Sequence, residues 1–336
     1  MPNGWFVVDA HNQFIPQEAV PLSKDTVADL TIEGISTRIF KRSLDIEGKL
    51  IVMDEAGIDM ALIHMASLNL LGLDFCRAMN NGNARIAREY PDRIIALAHI
   101  PLDSAASSEG LKELDRSILE LGLKGVALES STQRLALGSD ELTPFFARIN
   151  ELNVPVVIHP ANLKSMGSGS GLKHTMISQA AIEIENTNAC IEVMFGVLNK
   201  FPDLKFLMPH HGGALPIWQG RMKLSYIPDG FEVPEEFKNQ PMTPRIRKLV
   251  GLDQPFQALM DKLYFDLSGF GGWMPVTNMA LSIIGPSRLC LGTDYGFEMN
   301  EAIDIKLFID NIKALNIPEQ DKRNILGENI KELFQL

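Results

Sequence analysis

VVDAHNQFIP, residues 7–16, sets two apolar residues ahead of Asp9, His11 and Gln13. An apolar run that ends in polar, metal-competent side chains is the unit from which the rest of the chain can be read. The same form recurs as MALIH (60–64), RIIALAHI (93–100), KGVAL (124–128), PVVIH (155–159), LKFLMPH (204–210), LYFDLS (263–268) and RLCLGTD (288–294). With WFVVDAH (5–11) there are eight such runs. Their apolar character is continuous rather than alternating, as expected of parallel strands covered on both faces.

The intervening segments have helical periodicity. EGLKELDRSILELG places Leu111, Leu114, Ile118 and Leu121 on one stripe, with Gly122 as its stop. DELTPFFARINELN is expected to start at a capping Asp140 and to end at Asn153 before Pro155. LDIEGKLIVMDEAGID ends near Gly57 by the same reasoning. Eight strands alternating with helices predict an α/β fold, a (β/α)8 TIM barrel forming one domain over residues 1–336. A doubly wound open sheet is the alternative. Two departures interrupt the repeat. NLKSMGSGSGLKH (162–174), after the fifth strand, is either a lid or a surface loop. The stretch carrying Pro228, Pro234, Pro241, Pro244 and Pro255 reads as a helical insertion between strands six and seven.

Composition narrows the function classes. With 336 residues, 46% hydrophobic and 22% charged, the chain describes an ordinary globule that needs no disulfides to bury a core. The net charge of -11 is spread along the sequence, and no Lys/Arg block suggests a nucleic-acid partner. Cys76, Cys190 and Cys290 are far apart, which argues against a disulfide framework or a cysteine zinc site. No basic and apolar leader opens the chain, and no uncharged stretch reaches the ~18 residues of a membrane span. A cytoplasmic location is expected.

The histidines carry the chemistry. Five of the seven (His11, His64, His99, His159 and His210) fall at or near the end of a predicted strand, and Asp294 closes the eighth. The C-terminal strand ends of a TIM barrel form its active-site face. A lone histidine there is usually a hydrogen-bonded scaffold residue. Together, His11, His159 and Asp294 can converge on a divalent transition metal, with His210 beside it as acid or base.

These residues also carry a resemblance that runs along almost the whole chain. DAHNQFIP resembles the D-x-H-x-H-x-x-P start of the second branch of the amidohydrolase superfamily, the aminocarboxymuconate-semialdehyde decarboxylase-like proteins. PVVIHP, GVLNKFPDLKFLMPHHGGALPIWQGR, YFDLSG, LCLGTDYG and ILGENIKELF are similar, in order, to the later motifs of that branch. The resemblance implies metal ligands at His11, position 13, His159 and Asp294, and a catalytic His210. It also implies one divalent metal, zinc preferred and manganese the alternative, and a homodimer or higher homo-oligomer. Gln13 stands where the branch has its second N-terminal histidine, and a neutral carbonyl oxygen is a poorer zinc partner than an imidazole. His211 falls where the branch often has a small residue.

The expected reaction is nonoxidative decarboxylation of a small unsaturated or aromatic carboxylic acid, with Asp294 and His210 handling protons. Arg221, Arg38 and Arg42 are candidate partners for the substrate carboxylate, and Trp273 a candidate stacking surface. Hydrolysis of a lactone or amide, or hydration of a double bond, would use the same groups. A barrel that has lost catalysis and only binds a ligand is the third reading, supported by Gln13 alone.

Overall fold

The computed structural model describes residues 4–19, 28–32, 35–39, 41–161, 173–225, 235 and 255–336, with the backbone course alone for 28–32, 35–39, 173–178 and 224–225. Eight parallel strands follow one another around a barrel. They are β1 (Val8–Gln13), β2 (Met60–His64), β3 (Ile94–Ala96, continuing as Ala98–His99), β4 (Val126–Glu129), β5 (Val156–His159), β6 (Phe206–Met208), β7 (Leu263–Asp266) and β8 (Leu289–Cys290). Each pairs with the next in sequence, from Val8 beside Met60 to Phe265 beside Leu289. The circle closes where Ala10 N–H donates to the Leu291 carbonyl and Gln13 N–H to that of Tyr295, both at 2.8 Å. Consecutive order and closure identify the TIM barrel and exclude the doubly wound sheet, whose strand order reverses.

The pleat explains where the polar residues lie. Val8, Ala10, Leu62, Leu97, Ala127, Val157, Leu207, Tyr264 and Cys290 fill the barrel interior in one cluster, and Ile330, Leu333 and Phe334 pack onto that cluster. Side chains two apart on a strand share a face. Two residues beyond Leu62, Leu97, Ala127, Val157 and Tyr264 stand His64, His99, Glu129, His159 and Asp266, all buried. In β1 the register with β2 slips between Asp9 and Asn12. Such an irregularity switches the face of everything after it, and it brings His11 inward. Asn12 meets Lys49 on the outer side instead, where the lysine also lies over the Tyr295 ring at 4.2 Å.

The helices follow their punctuation with one exception. Ile46–Ala56 starts at Asp45, whose side chain accepts from Gly48 N–H, and stops at Gly57 with φ 80. Gly122 (φ 76) and Asn153 (φ 51) end their segments in the left-handed region as expected. Asp140 is not a cap: Ser139 precedes a 3-10 turn, Asp140–Leu142, and Asp140 pairs with Lys200 at 2.5 Å. The cation outcompetes the helix terminus for that carboxylate.

Between β6 and β7 the helices Leu215–Ser225 and Phe256–Met260 flank the expected insertion, with Pro255 heading the second. The remaining prolines and the Gly/Ser stretch up to residue 172 lie outside the described residues. Among the described residues no helix is long and apolar enough to cross a membrane.

Candidate active site

His11, His64, His159 and His210 meet at the C-terminal mouth of the barrel. The His11 ring centroid lies 4.9 Å from His64, 5.2 Å from His159 and 5.5 Å from His210. Asp294 completes the group, with Oδ1 at 3.4 Å from His11 Nε2. Ligand atoms of His11, His210 and Asp294 lie within 4.8 Å of one another. All five residues are at most 7% exposed.

Each of three imidazoles is held by its Nδ1. His11 Nδ1–H donates to Asp266 Oδ2 at 2.9 Å, with Ser268 Oγ at 3.1 Å. His210 Nδ1–H donates to Glu183 Oε1 at 2.9 Å, and His159 Nδ1–H to the Pro160 carbonyl at 2.8 Å. A proton fixed on Nδ1 leaves Nε2 as the atom offered to the site, an arrangement typical of metal-ligating histidines. Among the described residues, Nε2 of His11 and His210 and both nitrogens of His64 meet no hydrogen-bond partner. Buried nitrogens of this kind usually have one. Asp266 also accepts from the His210 backbone N–H at 3.1 Å, so one carboxylate ties the β6 histidine to β1.

The carboxylates divide the imidazoles into two that bind a proton more tightly than usual and two that bind it less tightly. Burial would lower the affinity of His11 for a proton, yet Asp266 and Asp294 together raise it. Burial is likewise outweighed at His210, which Glu183, then Asp294 and Asp266, lift to about 9. His159 and His64 are pushed well below 6.5 by burial and by the neighbouring imidazoles. Burial raises Asp294. A pocket of carboxylates and outward-aimed imidazole nitrogens suits a divalent cation.

Backbone conformation reinforces the positions. His210 (φ 50), His211 (φ 59) and Asp294 (φ 50) are non-glycine residues in the left-handed region, the strain that surrounding structure must hold in place. Gly269 (φ +88) lies against His210 so closely that a Cβ there would stand 2.5 Å from the ring's Cγ. Glu298 pins that turn by accepting from Gly269 N–H and Gly271 N–H, each at 2.7 Å.

Gln13 lies in the site: its amide nitrogen donates to Asp294 Oδ1 at 2.5 Å. His99 belongs to the wall, with Nδ1 at 2.8 Å from Asn69 Oδ1, whose amide donates to Glu129. His211 is buried in the turn with its ring edge-on to Phe270 at 5.3 Å. Arg221 and Arg42 are exposed, Trp273 is 62% exposed, and the side chain of Arg38 lies outside the described residues. Sequence reasoning missed Asp266 and Glu183. Asp266 was findable, since it ends β7 as the histidines end their strands. Glu183 sits mid-helix in Lys173–Glu192, where nothing local marks it.

Known proteins resemble the chain over most of its length. The 2-amino-3-carboxymuconate-6-semialdehyde decarboxylase of Dictyostelium discoideum is 29% identical over 267 residues, covering 79% of this chain and 67% of that protein. The gamma-resorcylate decarboxylase of Polaromonas sp. (strain JS666 / ATCC BAA-500) is 24% identical over 99% of both chains. The solved 5-carboxyvanillate decarboxylase of Novosphingobium aromaticivorans, complexed with manganese and 4-hydroxy-3-methoxy-5-nitrobenzoic acid, superposes with a TM-score of 0.72. It is 21% identical, over 99% of this chain and 97% of that one. The family model described as Amidohydrolase matches residues 8–336, and the chain belongs to that family.

Proposed function

We propose that the protein is a metal-dependent nonoxidative decarboxylase of a small aromatic carboxylic acid. The observation that carries this reading is the buried set of His11, His159, His210 and Asp294, in which Nε2 of His11 and of His210 meets no hydrogen-bond partner among the described residues and lies beside carboxylates. The relatives support it through the reactions in their names, and the manganese-bound neighbour supports a divalent ion. His11, His159 and Asp294 would hold one ion, with Gln13 steadying Asp294 or adding its carbonyl oxygen. Zinc suits the imidazole-rich set, and manganese is the alternative.

When bound, the ion supplies a Lewis acid for the oxygens of the substrate's carboxylate and neighbouring hydroxyl. His210, kept protonated by Glu183, presents Nε2–H to the site and delivers a proton to the carbon losing carbon dioxide. The electron pair of the broken carbon–carbon bond stays on that carbon and takes up the proton. Water entering after carbon dioxide leaves returns a proton to the imidazole, with the Asp294 carboxylate, whose affinity for a proton is raised by burial, relaying it. Trp273, four residues beyond the Gly269 turn, would stack on a flat acid at the rim. Arg221 and Arg38 are the proposed partners for its charge.

The same reading takes residues 1–336 as one domain and the protein as a homo-oligomer. Its test is release of carbon dioxide from hydroxybenzoic acids, with lactones and unsaturated diacids in parallel. Carbon dioxide in stoichiometric yield with the decarboxylated phenol supports it. Ring opening or hydration without gas release refutes it.

A further inference from the structure

We propose that His64 supplies to the metal site the imidazole that Gln13 does not, so that His11, His64 and His159 form a three-imidazole face completed by Asp294. The inference rests on the metal-dependent reading above and deepens it.

Register carries the first part. Gln13 and His64 are Cα partners on the adjacent parallel strands β1 and β2. Partners in a parallel pair stand about 4.8 Å apart and project to the same face. Gln13 itself offers no imidazole, and His64 places one on the adjacent strand at the same depth. Gln13 meanwhile directs its amide nitrogen to Asp294 at 2.5 Å.

The second part is the state of the ring. His64 is fully buried, and neither of its nitrogens has a hydrogen-bond partner among the described residues. His99, at the corresponding place on the next strand, is bonded through Nδ1 to Asn69. Leaving a buried polar group unsatisfied costs about 1–3 kcal/mol, which a metal ion would relieve for His64; His211, equally unpartnered among the described residues, stacks against Phe270 instead of facing His11 and His159.

Spacing carries the third part. A zinc–nitrogen bond of about 2.0–2.1 Å puts the centres of two imidazoles sharing one tetrahedral ion about 5 Å apart. The three rings lie 4.9 Å (His11 to His64), 5.2 Å (His11 to His159) and 5.5 Å (His64 to His159) from each other. The atoms already within 4.8 Å of one another are those of His11, His210 and Asp294. Among the described residues no hydrogen bond opposes the turn that would bring His64 to the same point. His210 keeps its bond to Glu183 and its role as proton donor.

The test uses the full chain freed of metal and reloaded with Zn2+ or Co2+ alone, without substrate. Wild type and His64→Asn are titrated against a competing chelator, and the visible absorption of the Co2+ forms is compared. The expected result is an affinity at least about tenfold lower in the variant, the scale on which metal-site partners act, with a changed Co2+ spectrum. Equal affinity and an unchanged spectrum overturn the proposal while leaving the metal site standing. Absence of metal binding in the wild type overturns the metal-dependent reading as well. Should His64→Asn fail to fold, X-ray absorption of Zn2+-loaded His210→Asn counts the remaining imidazoles. Three support the proposal and two overturn it.

Discussion

Replacing Glu183 by glutamine would test how His210 is kept as an acid. The Glu183 carboxylate lies 2.9 Å from His210 Nδ1, with the two side chains 23% and 8% exposed. Burial alone would disfavour the imidazolium, and Glu183 is the first of the groups that reverse this and hold the ring at about 9. The amide introduced by Glu183→Gln keeps the shape and one acceptor oxygen but removes the charge. A hydrogen bond to a charged partner contributes about 1.5–3 kcal/mol and a neutral one about 1 kcal/mol. The difference of about 0.5–2 kcal/mol corresponds to roughly one pH unit. His210 should then titrate roughly one pH unit below its wild-type value of about 9, followed by its imidazole nitrogen resonances. The alkaline limb of carbon dioxide release should move down with it.

Stability gives an independent readout. A group whose folded affinity for protons is raised stabilises the protein fully below its unfolded value, near pH 6.5 here, and loses that contribution as pH rises through about 9. The variant's deficit in melting temperature should therefore be largest near about pH 6 and vanish by about pH 10. An unchanged His210 titration, or a deficit that grows with pH, would rule out Glu183 as the group that holds the imidazolium.

Two further substitutions probe the supports of the site. Gly269→Ala combines a φ of +88 with a Cβ 2.5 Å from His210 Cγ. It should cost about 1–3 kcal/mol in urea denaturation and lower kcat, whereas wild-type stability and turnover would show that the turn does not hold the ring. Asp266→Asn weakens the acceptor for His11 Nδ1, and metal affinity in chelator competition should fall about 10–100-fold. An affinity indistinguishable from wild type would show that Asp266 does not orient a ligand.

The sequence was most legible where a single strand carries both signals. Leu62 and His64, or Val157 and His159, show in one short run the core residue and the polar residue above it. The barrel and the ring of histidines follow from that repetition. What stayed hidden depends on relations between distant elements. The slip in β1 that turns His11 inward is a matter of pairing with β2, and Asn12 and Gln13 read identically with or without it. Lys49 looks like a surface residue of an amphipathic helix, yet it is fully buried against Asn12 and the Gln13 carbonyl. Its burial lowers it to about 7. Glu183 reaches His210 across 27 positions of sequence. Asp140 shows the reverse case, a cap signal in sequence that Lys200 claims in space.

Everything proposed for this site depends on the converged histidines and Asp294 holding a metal needed for decarboxylation. Metal content of protein purified without chelator or added metal, paired with carbon dioxide release by the same sample, decides the matter. About one divalent ion per chain is expected, with metal and activity lost together in His159→Ala. Less than about a tenth of an equivalent after incubation with Zn2+ and Mn2+, with carbon dioxide release undiminished, would show that decarboxylation proceeds without a metal.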